Sequence, residues 1–249
     1  METKYWEFSL YFPRELFIYF ENLKKQLKDL LSNQPNCVSI SIADDGYCFL
    51  LALSKEAYNK NLLFIKDKII DIILFYYKPK TIINSIKNFD IKSHDNVILI
   101  DILSSFDIED DKKEIFKCLS LCKKLYLSSF VTFKLKNLQK RWIETAELVN
   151  QNSLFVNNKI IKKELIKFLI DGIESKVDYL KLTKDGIEKN NQRIENFYIF
   201  YSIFDYDSLL FTLISNYPKK IEVENYKSFD AHFIQNLYDL FGNRLVLID

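Results

Sequence analysis

Few residues in this sequence have the types and spacings that chemistry needs. Cys118 and Cys122 stand four positions apart, one helical turn, a spacing that could present two thiolates to a metal. A structural zinc site takes about four ligands, however, and His94 and His232 are the only imidazoles in the chain. Neither histidine is spaced to join the thiols, and no C-x-x-C pair occurs among Cys37, Cys48, Cys118 and Cys122. On a helical projection Cys122 falls within the apolar face and Cys118 near its edge, so core packing as reduced thiols is the expected role of both. His94 lies in a polar connection and His232 early in the last predicted helix. A Ser-His-Asp triad would need a nucleophile at a strained turn, and there is no G-x-S-x-G. Four glycines supply neither a G-x-x-x-x-G-K nor a G-x-G-x-x-G loop for phosphates. No catalytic residue and no cofactor is expected.

Carboxylates offer one alternative. Asp205 and Asp207 precede a predicted helix, and Glu222 and Glu224 share one side of the strand after it. Hard oxygen ligands at strand ends suit Mg²⁺, so this set could serve a metal-dependent phosphodiesterase-like site. The same acids also suit a helix N-terminus and a solvated strand face. That second reading is preferred, because no Lys stands in a matching E-x-K.

The most uneven feature is charge. From Asp90 to Asp111 there are seven acids (Asp90, Asp95, Asp101, Asp107, Glu109, Asp110, Asp111) against Lys92 alone. From Lys112 to Arg141 there are nine bases against Glu114 alone. Lys113, Lys117, Lys124, Lys134, Lys136, Lys140 and Arg141 are the candidate binding residues of this block. Tyr126, Phe130 and Phe133 interleave with them and Trp142 follows, a composition able to hold phosphates and stack bases. Alternatively the acidic and basic blocks neutralise each other, in surface pairs worth about 0 to 1 kcal/mol each.

These side chains are carried by a mixed helix and strand pattern, an α+β or mixed α/β fold. A strand over residues 4–11 stops near Pro13, and Leu16, Phe20, Leu23, Leu27 and Leu30 mark a helix. Val38, Ile40 and Ile42 alternate with serines, and Asp45-Gly46 turns that strand back into Tyr47 to Leu53. Ser54 caps a long helix from Lys55 towards Lys78, which Pro79 is expected to break. Residues 80–152 read as further helices, with Ile115, Leu119, Cys122 and Tyr126 on one face of the stretch 112–126. After a helix near 160–169 comes a strand, Val177 to Leu182, and a second Asp-Gly turn at Asp185-Gly186. An aromatic strand near 197–203 precedes helix, strand, helix and the closing run Leu245 to Ile248, the spacing of right-handed parallel crossovers. Soft boundaries fall at 1–79, 80–156 and 157–249.

With 249 residues, 48% of them apolar, such a chain buries roughly 73% of its unfolded surface and needs no staples. A net charge of +1 commits it to neither nucleic acid nor membrane as a whole. The start of the chain lacks the layout of a signal peptide, and the apolar stretch Leu62 to Tyr77 is interrupted by Lys66, Asp67, Lys68 and Asp71. A cytoplasmic protein without a transmembrane segment is expected.

Three stretches resemble the YtxC-like family of sporulation proteins of spore-forming Firmicutes. Phe130-Val131-Thr132-Phe133-Lys134-Leu135-Lys136 is similar to that family's glycine-Phe-x-x-Phe-Arg-Leu-Lys segment, with Ser129 and Lys134 in place of the glycine and arginine. Lys167 to Ile170 ends a similar helix pair. Asp207 to Ile214 with Pro218 to Val223 resembles the family's aspartate-led helix, proline and closing strand, and Phe241 to Val246 its C-terminal end. The resemblance implies endospore formation in a bacterial cytoplasm and no particular activity. It favours a non-enzymatic protein that binds a protein partner, with nucleic acid or an anionic surface on the basic block as the alternative.

Overall fold

The computed structural model describes residues 5–31, 37–43, 45–87, 89–91, 93–119, 124–151, 158–173, 175–194 and 206–249. Strand β1 (Tyr5–Pro13) turns into helix α1 (Phe17–Leu31), and strands β2 (Cys37–Ala43) and β3 (Gly46–Ser54) follow. Helix α2 (Lys55–Ile72), a π turn (Ile73–Tyr77) and α3 (Lys78–Ser85) run on without a break. Next come α4 (His94–Ser105), α5 (Ile108–Cys118), β4 (Lys124–Tyr126), α6 (Leu127–Lys134), α7 (Lys136–Gln151) and α8 (Lys159–Asp171). The chain ends with β5 (Val177–Thr183), β6 (Gly186–Lys189), β7 (Gln192–Ile194), α9 (Asp207–Asn216), β8 (Pro218–Glu224), α10 (Ala231–Phe241) and β9 (Leu245–Ile248). The fold is mixed α and β, as the sequence pattern predicts. Two compact units form: Met1–Tyr77 with Glu109–Arg141, and Lys78–Ile108 with Trp142–Asp249.

The first unit is built on a sheet of order β2-β3-β1-β4. Asp45-Gly46 makes the predicted hairpin, pairing Ala43 with Gly46, and β1 lies antiparallel to β3. Period-2 alternation puts Leu10 and Phe12 of β1 with Phe49, Leu51 and Leu53 of β3 on one buried face. Phe20 of α1 stacks on Phe49 at 4.4 Å and meets Phe12 edge-on at 5.7 Å, so α1 covers that face. Ser54 caps α2 as expected, accepting from the Ala57 amide at 3.2 Å.

Two expectations about this region need correction. Pro79 does not end the helix begun at Lys55; it lies buried inside α3. Pro79 has no N–H to offer the carbonyl four residues back, Phe75, and the Tyr19 hydroxyl donates to that carbonyl instead (3.2 Å). The π turn immediately before α3 takes up the local misfit. The second correction concerns 112–126, which is not one helix. It stops at Cys118, and Lys124–Tyr126 is a strand parallel to Ser9–Tyr11 of β1. A tertiary pairing with β1 outweighs the helical spacing of so short a stretch.

The second unit carries a sheet of order β7-β6-β5-β8-β9. Lys184-Asp185 turns β5 into β6, pairing Thr183 with Gly186. Helices α9 and α10 carry the parallel crossovers from β5 to β8 and from β8 to β9. Leu180, Leu182, Ile221 and Val223 alternate onto the buried face. Asp230 caps α10 by accepting from the His232 and Phe233 amides, and Gly242 ends it at φ +49°, in the region that favours glycine. Helix α4 is buried on every side from Val97 to Ser105, as befits a helix in the middle of a core. The expected aromatic strand at 197–203 lies outside the described residues.

Candidate nucleic-acid interface

The basic block belongs to the first unit, on α5, β4, α6 and the start of α7. Its acids and bases are partly matched within the block. Lys113 donates to Asp110 at 3.0 Å, and this contact raises the lysine's pKa and lowers that of the carboxyl. Arg141 reaches back to α5, donating to the buried Asp111 at 3.1 Å and to Glu114 at 2.7 Å. Lys113 and Arg141 therefore carry little free charge outward. Lys117, Lys124, Lys134, Lys136 and Lys140 are all exposed. Among the described residues, Lys117, Lys124, Lys134 and Lys136 have no carboxylate partner.

Aromatic side chains stand beside these lysines. Phe133 is 66% exposed at the end of α6, with the Lys136 ammonium 6.0 Å from its ring centre. Tyr126 is half exposed at the end of β4 and stacks on Tyr11 of β1, with centroids 4.1 Å apart and planes within 7°. Tyr11 was not expected from sequence to be part of any site. Only the β1–β4 pairing, which aligns Tyr11 with Tyr126, makes the pair. A hydrogen bond with the Tyr126 hydroxyl, then burial, pushes the Tyr11 pKa up to about 12.

The pair sits on the sheet face opposite α1, along with Glu7, Ser9, Leu50 and Lys124 by alternation from the core positions. A shallow depression of about 210 Å³ is lined by Tyr11, Gly46, Cys48, Tyr126 and Ser128, and another of about 260 Å³ by Glu7, Ser9, Ser39 and Leu50. Cys48 is buried here and burial pushes its thiol pKa up, against a smaller lowering by the Tyr11 hydroxyl and Lys124.

The other candidates do not converge. Cys118 is exposed at the end of α5 rather than packed in the core, since the helix that would have carried Cys122 stops there. Cys37 and Cys122 lie, by their side chains, outside the described residues, as does the imidazole of His94. His232 is exposed on α10, its Nδ1 3.1 Å from the Asn236 amide nitrogen. Glu222 and Glu224 occupy the sheet face away from the second unit's core. Glu224 takes Lys181 at 2.9 Å and Glu222 takes Lys220 at 3.9 Å, the pattern of a solvated strand face. Asp207 opens α9; its side chain, like all of Asp205, lies outside the described residues. Among the described residues no three His, Cys, Asp or Glu side chains group to hold a metal.

A cleft of the second unit, about 740 Å³, is lined by Asp95, Glu164, Lys167, Asp171 and Asp239 over Ile98 and Phe241. Arg244 at its margin is committed elsewhere, to the Pro218 carbonyl at 3.2 Å and the face of Tyr217 at 4.0 Å. No described helix is long and apolar enough to cross a membrane. Compared with known proteins, the chain matches no family model, no curated protein and no solved structure.

Proposed function

We propose that this is a non-catalytic binding protein whose first unit holds single-stranded nucleic acid on its basic and aromatic surface. One observation carries the reading. Among the described residues, Lys117, Lys124, Lys134 and Lys136 stay exposed and free of carboxylates while Lys113 and Arg141 absorb the neighbouring acids. Phe133 and Tyr126 add exposed rings next to that charge, and stacking on such rings is worth about 1–3 kcal/mol per base. Single strands use both properties, whereas a duplex or a membrane would use the charge alone. The setting suggested by the YtxC-like stretches is endospore formation.

The test is fluorescence anisotropy with a labelled oligo(dT) and an oligo(U). Binding should weaken as salt rises, with a log–log slope of about −0.7 per phosphate neutralised. Lys117→Glu with Lys124→Glu should lower affinity at least about tenfold, and Phe133→Ala should cost about 1–3 kcal/mol with little change in salt slope. Salt-insensitive binding, or full retention by the double variant, would refute the proposal.

A further inference from the structure

Glu7 stands apart on the open face of the first unit's sheet. Strand alternation and pairing register order that face into rows. One row runs Ser39, Leu50, Ser9 and Lys124 across β2, β3, β1 and β4, and the next runs Ser41, Cys48, Tyr11 and Tyr126. Glu7 lies one row the other way along β1, opposite Ala52. Among the described residues of these rows it is the one acid and Lys124 the one base. Glu7 is exposed, and among the described residues no cation pairs with it. It lines the depression of about 260 Å³ with Ser9 and Ser39, where Leu50, 41% exposed, supplies an apolar surface. An uncompensated carboxylate repels phosphates, so its use on a surface that holds nucleic acid is on a base edge rather than on the backbone.

We infer that the Glu7 depression takes one base of the bound strand and selects a base that presents an exocyclic amino group there, cytosine above uracil. This rests on the single-strand reading above and adds a sequence preference to it. A carboxylate accepts hydrogen bonds and cannot donate them, whereas the Ser9 and Ser39 hydroxyls do either. The serines therefore suit any base edge, and Glu7 is the group that discriminates. The cytosine N4 amino group donates to a carboxylate, a pairing that reads this base elsewhere. Uracil carries carbonyl oxygens on both sides of its one edge N–H, so the same approach sets acceptor against acceptor. Placement fits a single strand. Both depressions lie along β1, Ser9 in one and Tyr11 in the other, about 7 Å apart. Lys124 flanks them from β4, placed for a phosphate of a strand that crosses both.

Fluorescence anisotropy of the full chain with labelled oligo(C) and oligo(U) of about 12 nucleotides tests this, at mildly alkaline pH where cytosine is neutral. The wild type should bind oligo(C) at least about fivefold more tightly than oligo(U). Glu7→Gln should bring the two within about twofold, because an amide can turn either its oxygen or its nitrogen to the base. Circular dichroism of that variant should match the wild type, since the side chain is exposed. A carboxylate acting through its charge alone would weaken both oligomers alike, and its removal would strengthen both and leave their ratio unchanged. Equal binding of the two by the wild type, or a preference that persists in Glu7→Gln, overturns the inference while leaving the single-strand reading in place. No binding of either oligomer overturns both.

Discussion

Individual residues around Pro79 show how one missing hydrogen is answered from far along the chain. Pro79 has no N–H to give the Phe75 carbonyl four residues back, and Tyr19, on another helix, donates its hydroxyl to that carbonyl. Removing that hydroxyl in Tyr19→Phe should cost about 1 kcal/mol at neutral pH. Tyr19 also carries a proton that burial holds well above the ordinary tyrosine range, as burial does for Tyr77. Unfolded tyrosines ionise near pH 10, so the stabilisation is complete below that value. It falls as pH rises past 10, because the unfolded chain then releases protons that the folded chain retains. The Tyr19→Phe variant should therefore close part of its gap to wild type above pH 10. Urea unfolding at pH 7 and at about pH 10.5 would reveal this; an equal deficit at both values would contradict it.

Among the elements, the β2–β3 hairpin has the least tolerance. Gly46 pairs with Pro13, and a Cβ built there would sit 2.1 Å from the Phe12 carbonyl oxygen, a backbone atom that cannot swing aside. Gly46→Ala is expected to cost at least about 2–3 kcal/mol by forcing β1 and β3 apart. It should also disturb the Tyr11–Tyr126 pair, which rests on the same end of β1. Chemical denaturation with near-ultraviolet circular dichroism would report both effects, and a wild-type tyrosine signal in a destabilised variant would separate them. Helix ends behave more locally. Ser54, Asp230 and Gly242 start or stop helices with contacts inside one turn.

At the scale of the molecule, the two units interleave along the chain. The first takes Met1–Tyr77 and then Glu109–Arg141, so its sheet is incomplete until β4 has been made. A fragment ending at Pro79 leaves β1 without β4, and α5 and α6 are missing too. Such a fragment should lack cooperative unfolding, although it contains both strands of the hairpin. Cooperative thermal melting of residues 1–79 would rule this out. Charge is divided the same way: the first unit holds 18 Lys and Arg against 14 Asp and Glu, the second 17 against 20. The near-neutral total conceals two units of opposite net charge.

What the amino-acid order determined by itself is whatever a few consecutive residues decide. Asp45-Gly46 and Asp185-Gly186 prefer tight turns, Ser54 satisfies an amide three residues on, and alternation over Val177 to Leu182 marks a strand with one buried face. The lysines of the basic block were also legible as candidates. Their availability was not, because it depends on partners distant along the chain. Arg141 is taken by Asp111, thirty residues away, while Lys124 is left free beside a tyrosine from β1. Strand β4 was misread as helix for the same reason: three residues have too little intrinsic preference to resist the sheet that offers them hydrogen bonds. Local propensities amount to fractions of a kcal/mol per residue, and burial with long-range pairing outweighs them wherever the two disagree.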